Sequence, residues 1–168
     1  MKLTDFFAAQ LEREAALSKK ALQRVPEGKA DWKPHAKSMA FGYLATLVAC
    51  MPDWIAMTID RDELDLKPPS AQGYKPPATD TNAKLLAAHE ECVGRGLAAL
   101  RKTTDEFLAT PWKLLVGGQV VMQDPRYKVI ADTFTHLAHH RGQLTVYLRL
   151  NEVPVPSIYG PTADDKTF

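Results

Sequence analysis

Hydrophobic side chains recur every three to four residues over four long segments of the chain, which is the spacing of a helix that buries one face. The first segment runs from Thr4, a candidate cap, to about Arg24. The second starts at another candidate cap, Ser38, and is apolar enough to be largely buried. It contains Pro52, which lacks the backbone N–H that a helix interior needs and therefore predicts a kink.

The third and fourth helical segments lie in the C-terminal half of the chain. Thr81 or Asp80 can cap the third segment, which the apolar pattern carries to about Lys102. The fourth is predicted to begin with Asp124 as its cap and Pro125 at its first position, and to run to about residue 151. Four amphipathic segments of similar length predict an all-α fold, a four-helix bundle.

The connections between these helices differ in character. Residues 61–81 are rich in charge, proline and glycine, which predicts one long crossover after residue 60. Short apolar runs flank Gly117 and Gly118 and predict a small hairpin before the last helix. Prolines keep the tail extended from about residue 152. With 168 residues, the chain is long enough for one complete core, so we expect a single helical domain over residues 1–168.

Composition and charge exclude several classes of partner. The chain has 21 Lys+Arg against 20 Asp+Glu, a net charge of +1, so no strong field favours nucleic acid or an anionic membrane. No run of apolar residues suits a signal peptide or a membrane span, which predicts a cytoplasmic protein. Cys50 and Cys92 lie singly within helical segments, which favours buried thiols over a disulfide.

The candidate chemistry lies in the stretch HLAHHRGQ, which places His136, His139 and His140 within five residues. On a helix, His136 and His140 stand at positions i and i+4, so their side chains leave the same face and their Cβ atoms lie about 5–6 Å apart. Two imidazoles at that separation can share a metal ion, whereas a catalytic ion usually takes three protein ligands. The pair is therefore an incomplete metal site by itself.

Other interpretations of the histidines stay open. Such a pair also arises by chance on a long helix, with one histidine bonded in the core and the others facing solvent. The stretch lacks the Glu of the HExxH motif, which disfavours a zinc peptidase of that class. His89, Glu90 and Cys92 fall within one helical turn and can in principle hold a metal, although a solvated helix edge beside a buried thiol explains them better.

Two stretches of the sequence resemble a known family. HLAHHRGQLTVYLRLNEVPVPSIYGPTADD is similar to the C-terminal signature of the DinB-like (damage-inducible) family of bacterial four-helix-bundle proteins. DWKPHAKSMAFGYLATLVACMPDW resembles the second block of that family. The resemblance covers most of the chain, and it implies a divalent-metal site of three histidines, one on the second helix and two on the fourth. Several relatives use such a site in thiol-linked S-transfer, isomerisation or hydrolysis.

The resemblance places the two fourth-helix ligands on His136 and His140, but the second-helix ligand falls on Leu47, which cannot coordinate a metal. Three outcomes follow. His35 or His89 can complete the set, the two histidines and water can bind zinc or nickel weakly, or Leu47 packs against the pair in a metal-free pocket. We expect substoichiometric zinc or nickel.

Two functional hypotheses follow from the resemblance. The first is a metal-dependent S-transferase or hydrolase that acts on a small molecule, with His136 and His140 as ligands. The alternative is a non-catalytic dimeric bundle that binds a small molecule or a protein partner without metal. The family's habit, together with many large apolar residues in the first and fourth helices, predicts a homodimer. The sequence identifies neither the substrate nor a thiol cofactor.

Overall fold

The computed structural model describes residues 1–68 and 79–167. In these ranges it contains six helices, which are α1 (Leu3–Leu22), α2 (Phe41–Cys50), α3 (Asp53–Asp60), α4 (Asn82–Lys102), α5 (Asp105–Leu108) and α6 (Arg126–Leu150). The described residues also form three strands, β1 (Glu63–Asp65), β2 (Pro111–Val116) and β3 (Gln119–Pro125). The fold is mainly helical with a small sheet, so the prediction of an all-α four-helix bundle needs correction.

The predicted second helix is in fact two helices, α2 and α3, which bend by 52° at their junction. Pro52 lies in that junction and has no N–H with which to continue the hydrogen bonds of α2. The predicted kink is therefore a complete break. No single helix in the described ranges is long and apolar enough to cross a membrane, although α2 and α3 together meet that test by length and composition alone.

The sheet has the strand order β1-β2-β3, with β1 parallel to β2 and β2 antiparallel to β3. The predicted hairpin is confirmed, since Gly117 and Gly118 connect β2 to β3 with φ angles of +60° and +78°. Such positive φ values suit glycine because it has no Cβ. The remaining strand, β1, lies in residues 61–81, which were predicted to be a loop crossover. The carboxylate of Asp65 ties its end to the turn by accepting hydrogen bonds from Gly117 N at 2.9 Å and Gly118 N at 2.7 Å.

The predicted caps have mixed outcomes. The Thr81 hydroxyl accepts a hydrogen bond from Lys84 N at 3.2 Å, so the prediction for α4 is confirmed. Ser38 is not a cap, because α2 begins at Phe41 after Ala40. The prediction for the last helix is also wrong, since Asp124 belongs to β3.

The N-terminus of α1 is capped by a residue that is distant in sequence. Thr4 lies inside the helix, and the carboxylate of Asp105 accepts hydrogen bonds from Leu3 N at 2.8 Å and Thr4 N at 2.9 Å. These two backbone bonds lower the pKa of Asp105 because they stabilise its ionised form. The short helix α5 therefore anchors the start of α1.

The tail is held against α1 and α6 by a buried ion pair. Arg141 on α6 donates to a carboxylate oxygen of Glu14 on α1 at 2.6 Å, and both side chains are almost fully buried. The hydroxyl of Tyr159, in the tail, donates to the same carboxylate oxygen at 2.7 Å and also contacts Arg141. The tail thus crosses the helices as an extended segment, and its polar groups are paired where it is buried.

Candidate functional site

The centre of α6 presents a pair of histidines whose rings contact each other. His136 and His140 are one helical turn apart, and their Nε2 atoms lie at a hydrogen-bonding distance of 2.8 Å. The ring of His140 is buried, whereas His136 is exposed at the edge of a cavity. The spacing of the histidines in the sequence therefore does bring them together.

Gln143 determines the hydrogen-bonding direction of this pair. Its amide oxygen Oε1 lies 2.7 Å from Nδ1 of His140, while its amide nitrogen lies 3.0 Å from Nε2 of His139. Because an amide oxygen only accepts, His140 carries its proton on Nδ1 and its Nε2 is an acceptor when the ring is neutral. His136 then donates from Nε2 to His140, and its own Nδ1 keeps an unprotonated lone pair.

The environment of His136 favours its neutral form. Although part of the His136 ring is exposed, its partial desolvation at the cavity edge is the main cause that lowers its pKa, and the positive charges that His140 and His139 can carry lower it further. A lower pKa means that the ring loses its proton at a more acidic pH than an ordinary histidine. At neutral pH the exposed side of the pair therefore offers an acceptor nitrogen rather than a cation.

A cavity of about 540 Å³ opens beside the pair, and we call it the histidine cavity. Its wall is mostly apolar, with contributions from α2, α3, β1 and α6. The lining residues are Met39, Tyr43, Thr46, Leu47, Cys50, Trp54, Leu64, Asp65, Leu66, His136 and His140. The Trp54 indole and the His136 ring pack edge to face, with ring centres 5.3 Å apart. The volume is sufficient for a small organic molecule.

Most polar groups in this wall already have partners within the protein. The hydroxyl of Thr46 donates to the carbonyl of Gly42 at 2.8 Å. The Asp65 carboxylate accepts from Lys67 N at 2.8 Å as well as from the hairpin turn. The histidine pair and the exposed Tyr43 are thus the polar features of the cavity that can meet a bound molecule.

The donor set does not fit a metal site with three protein ligands. Leu47 lines the same cavity as the two histidines, and it supplies hydrocarbon rather than a third imidazole. Across residues 1–68 and 79–167, no group of three His, Cys, Asp or Glu side chains is arranged to hold a metal ion. Two nitrogens on a tetrahedral zinc would stand about 3.3 Å apart, wider than the 2.8 Å of the hydrogen-bonded pair.

The two predicted substitute ligands lie elsewhere. His35 is exposed in the loop before α2, where its Nδ1 accepts a hydrogen bond from Lys37 N at 3.1 Å. His89 is 2% exposed, and its two ring nitrogens each lie 3.1 Å from a backbone carbonyl, that of Ala49 or Ala15. Neither residue lines the histidine cavity. His89 instead connects α4 to α1 and α2, which is a structural role.

The two cysteines are buried thiols on facing helices, as predicted. A hydrogen bond with Cys50 is the main cause that raises the pKa of Cys92, and burial adds to it. Arg95 donates to the sulfur of Cys92 at 3.2 Å. Cys92 therefore stays protonated at neutral pH and lacks the thiolate character of a nucleophile.

Sequence reasoning missed several residues of the site. Gln143 follows His140 by three positions, and this helical spacing was a usable signal. Trp54, the β1 residue Leu64 and Leu66, which follows β1, carried no such signal. Their places in the wall depend on the break at Pro52 and on the pairing of β1 with β2.

Comparisons with known proteins agree with this fold. A sequence model of the DinB superfamily matches residues 10–144, and the chain belongs to that superfamily. A comparison with curated protein sequences finds no significant match. The crystal structure of a DinB-like protein from Bacillus cereus is similar with a TM-score of 0.68 at 19% identity, covering 91% of this chain and 95% of that chain.

A second DinB-like protein, from Bacillus subtilis, has a similar crystal structure. The TM-score is 0.66 at 17% identity, and the match covers 87% of this chain and 92% of that chain. At these levels of identity the likeness shows a common fold and leaves function to be argued from the site.

Proposed function

We propose that the protein binds a small, mainly apolar molecule in the histidine cavity, with the His136–His140 pair hydrogen-bonded to its polar group. The observation that carries the proposal is a largely apolar cavity of about 540 Å³ with one histidine pair on its wall. Ligand sites in proteins typically combine apolar walls with a few polar groups that fix orientation.

The hydrogen bonds of the pair indicate what that polar group is. His140 uses Nδ1 for Gln143 and Nε2 for His136, so both of its nitrogens are engaged. Neutral His136 donates from Nε2 and keeps an acceptor at Nδ1. The preferred ligand therefore carries a hydrogen-bond donor, such as a hydroxyl, a thiol or an amide N–H, beside an apolar body.

A metal-dependent S-transferase or hydrolase is the second candidate. One observation favours it: the bond from His140 Nδ1 to Gln143 resembles the support that metal-binding histidines usually receive from a neighbouring acceptor. It is the weaker candidate because Leu47 offers no third ligand. A zinc or nickel ion would need water or the substrate to complete its coordination.

A fluorescence titration with 1-anilinonaphthalene-8-sulfonate, an amphipathic probe of apolar cavities, tests the main proposal. We expect saturable binding near one probe per chain, which Leu47→Trp should abolish or weaken by tenfold or more by filling the cavity. The matched control is Val121→Trp, because Val121 is 57% exposed on β3 and lies outside the cavity wall. Equal binding by the wild type and Leu47→Trp, with both folded, would contradict the proposal.

We further propose that the protein forms a homodimer through exposed apolar side chains of α1 and α6. Phe6 on α1 is 45% exposed, and Val146 and Leu150 on α6 are 55% and 53% exposed. Val146 and Leu150 are four residues apart and so share one face of the helix. A symmetric contact between two copies is the simplest way to cover such a face.

A further inference from the structure

A second cavity of about 290 Å³ lies beside the histidine cavity, between the sheet and helices α3 and α6, and we call it the sheet cavity. Four residues line both cavities, namely Trp54, Leu64, Leu66 and His136. The remaining lining residues of the sheet cavity are Met57, Thr58, Trp112, Leu114, Met122, Val129, Asp132 and Thr133. The two spaces are therefore neighbours that share one wall.

Two residues of this shared wall are exposed, whereas Trp54 packs against the core. Leu66 is 58% exposed and His136 is also exposed, although both stand between the two cavities. Side chains with that much accessible surface can change rotamer at little cost, whereas buried core side chains cannot. A molecule that contacts His136 can therefore extend from one cavity into the other.

The inner surface of the sheet cavity is suited to apolar groups. The hydroxyl of Thr58 donates to the carbonyl of Trp54 at 2.8 Å, and that of Thr133 donates to the carbonyl of Val129 at 2.9 Å. Both hydroxyl groups therefore donate within their own helices. The methyl groups of the two threonines are left for apolar contacts. Methionine side chains such as Met122 add a surface that adapts to the shape of a guest.

Trp112, which lines the sheet cavity, has a buried polar atom without a partner. Trp112 is 4% exposed, and its Nε1 is the one buried side-chain nitrogen or oxygen in the described parts of the chain that has no hydrogen-bond partner. Buried donors in proteins are nearly always paired. An alkyl group cannot accept a hydrogen bond from this enclosed nitrogen, so the apolar lining defines the guest of the sheet cavity.

We infer that the sheet cavity holds the apolar tail of the molecule whose polar head meets His136, which makes the ligand an elongated amphiphile. The inference rests on the proposed function and adds the ligand's shape and class. The head lies in the histidine cavity, where Tyr43, Thr46 and Asp65 supply a partly polar rim. The tail passes Trp54 and Leu66 and ends beneath the paired strand residues Leu114 and Met122.

Calorimetric titration with the series from 1-butanol to 1-decanol tests this inference. If the tail enters the sheet cavity, each added methylene group should tighten binding about fourfold, because each leaves water for an apolar surface. The gain should level off once the cavity is full. A flat series, with short alkanols binding as well as long ones, would overturn the tail site while leaving the proposed function intact.

A cavity-filling variant locates the tail. In Met122→Trp, the increase in affinity with each methylene group should stop at a shorter alkanol, while the affinity for 1-butanol stays unchanged. Leu114→Trp, on the facing strand, should have the same effect. Val121→Trp, next to Met122 on β3 and exposed, should follow the wild-type series. Circular dichroism checks that each variant is folded, and either of the two filling variants is sufficient if the other does not fold.

The possible failures are distinguishable. If the two filling variants follow the wild-type series while Leu47→Trp still blocks the fluorescent probe, only the tail site is refuted. Binding of the probe without binding of any alkanol likewise overturns the amphiphile class alone. If neither probe nor alkanol binds to the folded wild type, both the tail site and the proposed function are wrong.

Discussion

Replacing Leu47 by histidine tests how the cavity relates to the metal sites of the superfamily. Leu47 lines the same cavity as His136 and His140, so a histidine at this position would face the pair from α2. A third imidazole turns an incomplete donor set into the three-ligand arrangement that zinc usually takes. We expect Leu47→His to bind zinc or nickel at least tenfold more tightly than the wild type, which corresponds to about 1.4 kcal/mol or more.

Two free-energy costs accompany the formation of the metal site. The two Nε2 atoms must give up their 2.8 Å hydrogen bond and move apart, which costs about 1 kcal/mol. Leu47 is half-buried, so the variant also loses about 1 kcal/mol of apolar burial in the metal-free protein. Wild type and variant both pay the first cost when the pair binds a metal, so it cancels in the comparison of their affinities. The second cost lowers the stability of the variant alone.

Competition with a chromophoric chelator at pH 7.5 measures the affinity for each metal. Leu86→His is the matched control, because Leu86 is also a half-buried leucine packed on the core but lies outside the histidine cavity. If Leu47→His binds no more tightly than Leu86→His, then position 47 does not face the histidine pair. One tightly held metal per chain in the wild type, surviving dialysis against a mild chelator, would refute the incomplete-site argument.

Three further predictions concern the histidines, a helix cap and assembly. Gln143→Leu removes the oxygen that accepts the hydrogen bond of His140 Nδ1. Because such a bond contributes about 1 kcal/mol, ¹⁵N NMR should show the tautomer ratio of His140 shifting roughly fivefold toward Nε2–H. An unchanged spectrum would contradict the assigned direction of the hydrogen bond. Asp105→Ala should lower the Tm near pH 7. Because the folded-state pKa of Asp105 is depressed, this difference should be complete above its ordinary value of 3.8 and vanish as pH falls through the lower folded pKa; a difference independent of pH would exclude the capping role. Light scattering should give about twice the 18.6 kDa chain mass, and a monomer at micromolar concentration would rule out the dimer.

The features that the sequence predicted well are those set by neighbouring residues. The helix from Asn82 to Lys102 follows from its apolar spacing and from the cap at Thr81, all within one segment. The turn at Gly117 and Gly118 follows from the backbone freedom of glycine. Family membership likewise came from contiguous motifs, and the spacing of four residues on one helix brought His136 and His140 together.

Only the tertiary structure decided the features that join distant segments. The three residues of β1 are too few to show an alternating pattern, and their strand exists because residues 113–115 pair with them. Asp105 caps α1 from about a hundred residues away, so no local signal marked it. His89 looked like a candidate ligand in the sequence, yet the carbonyls of two other helices make it a structural connection.

The cavities themselves also depend on the three-dimensional arrangement. The histidine cavity forms where the break at Pro52 places Trp54 beside His136 and where the pairing of β1 adds Leu64, and Leu66 after it, to the lining. Periodicity identifies which side chains avoid water, but it does not show whether the surfaces they form meet without a gap. That depends on the angles and distances between elements, which non-local packing determines.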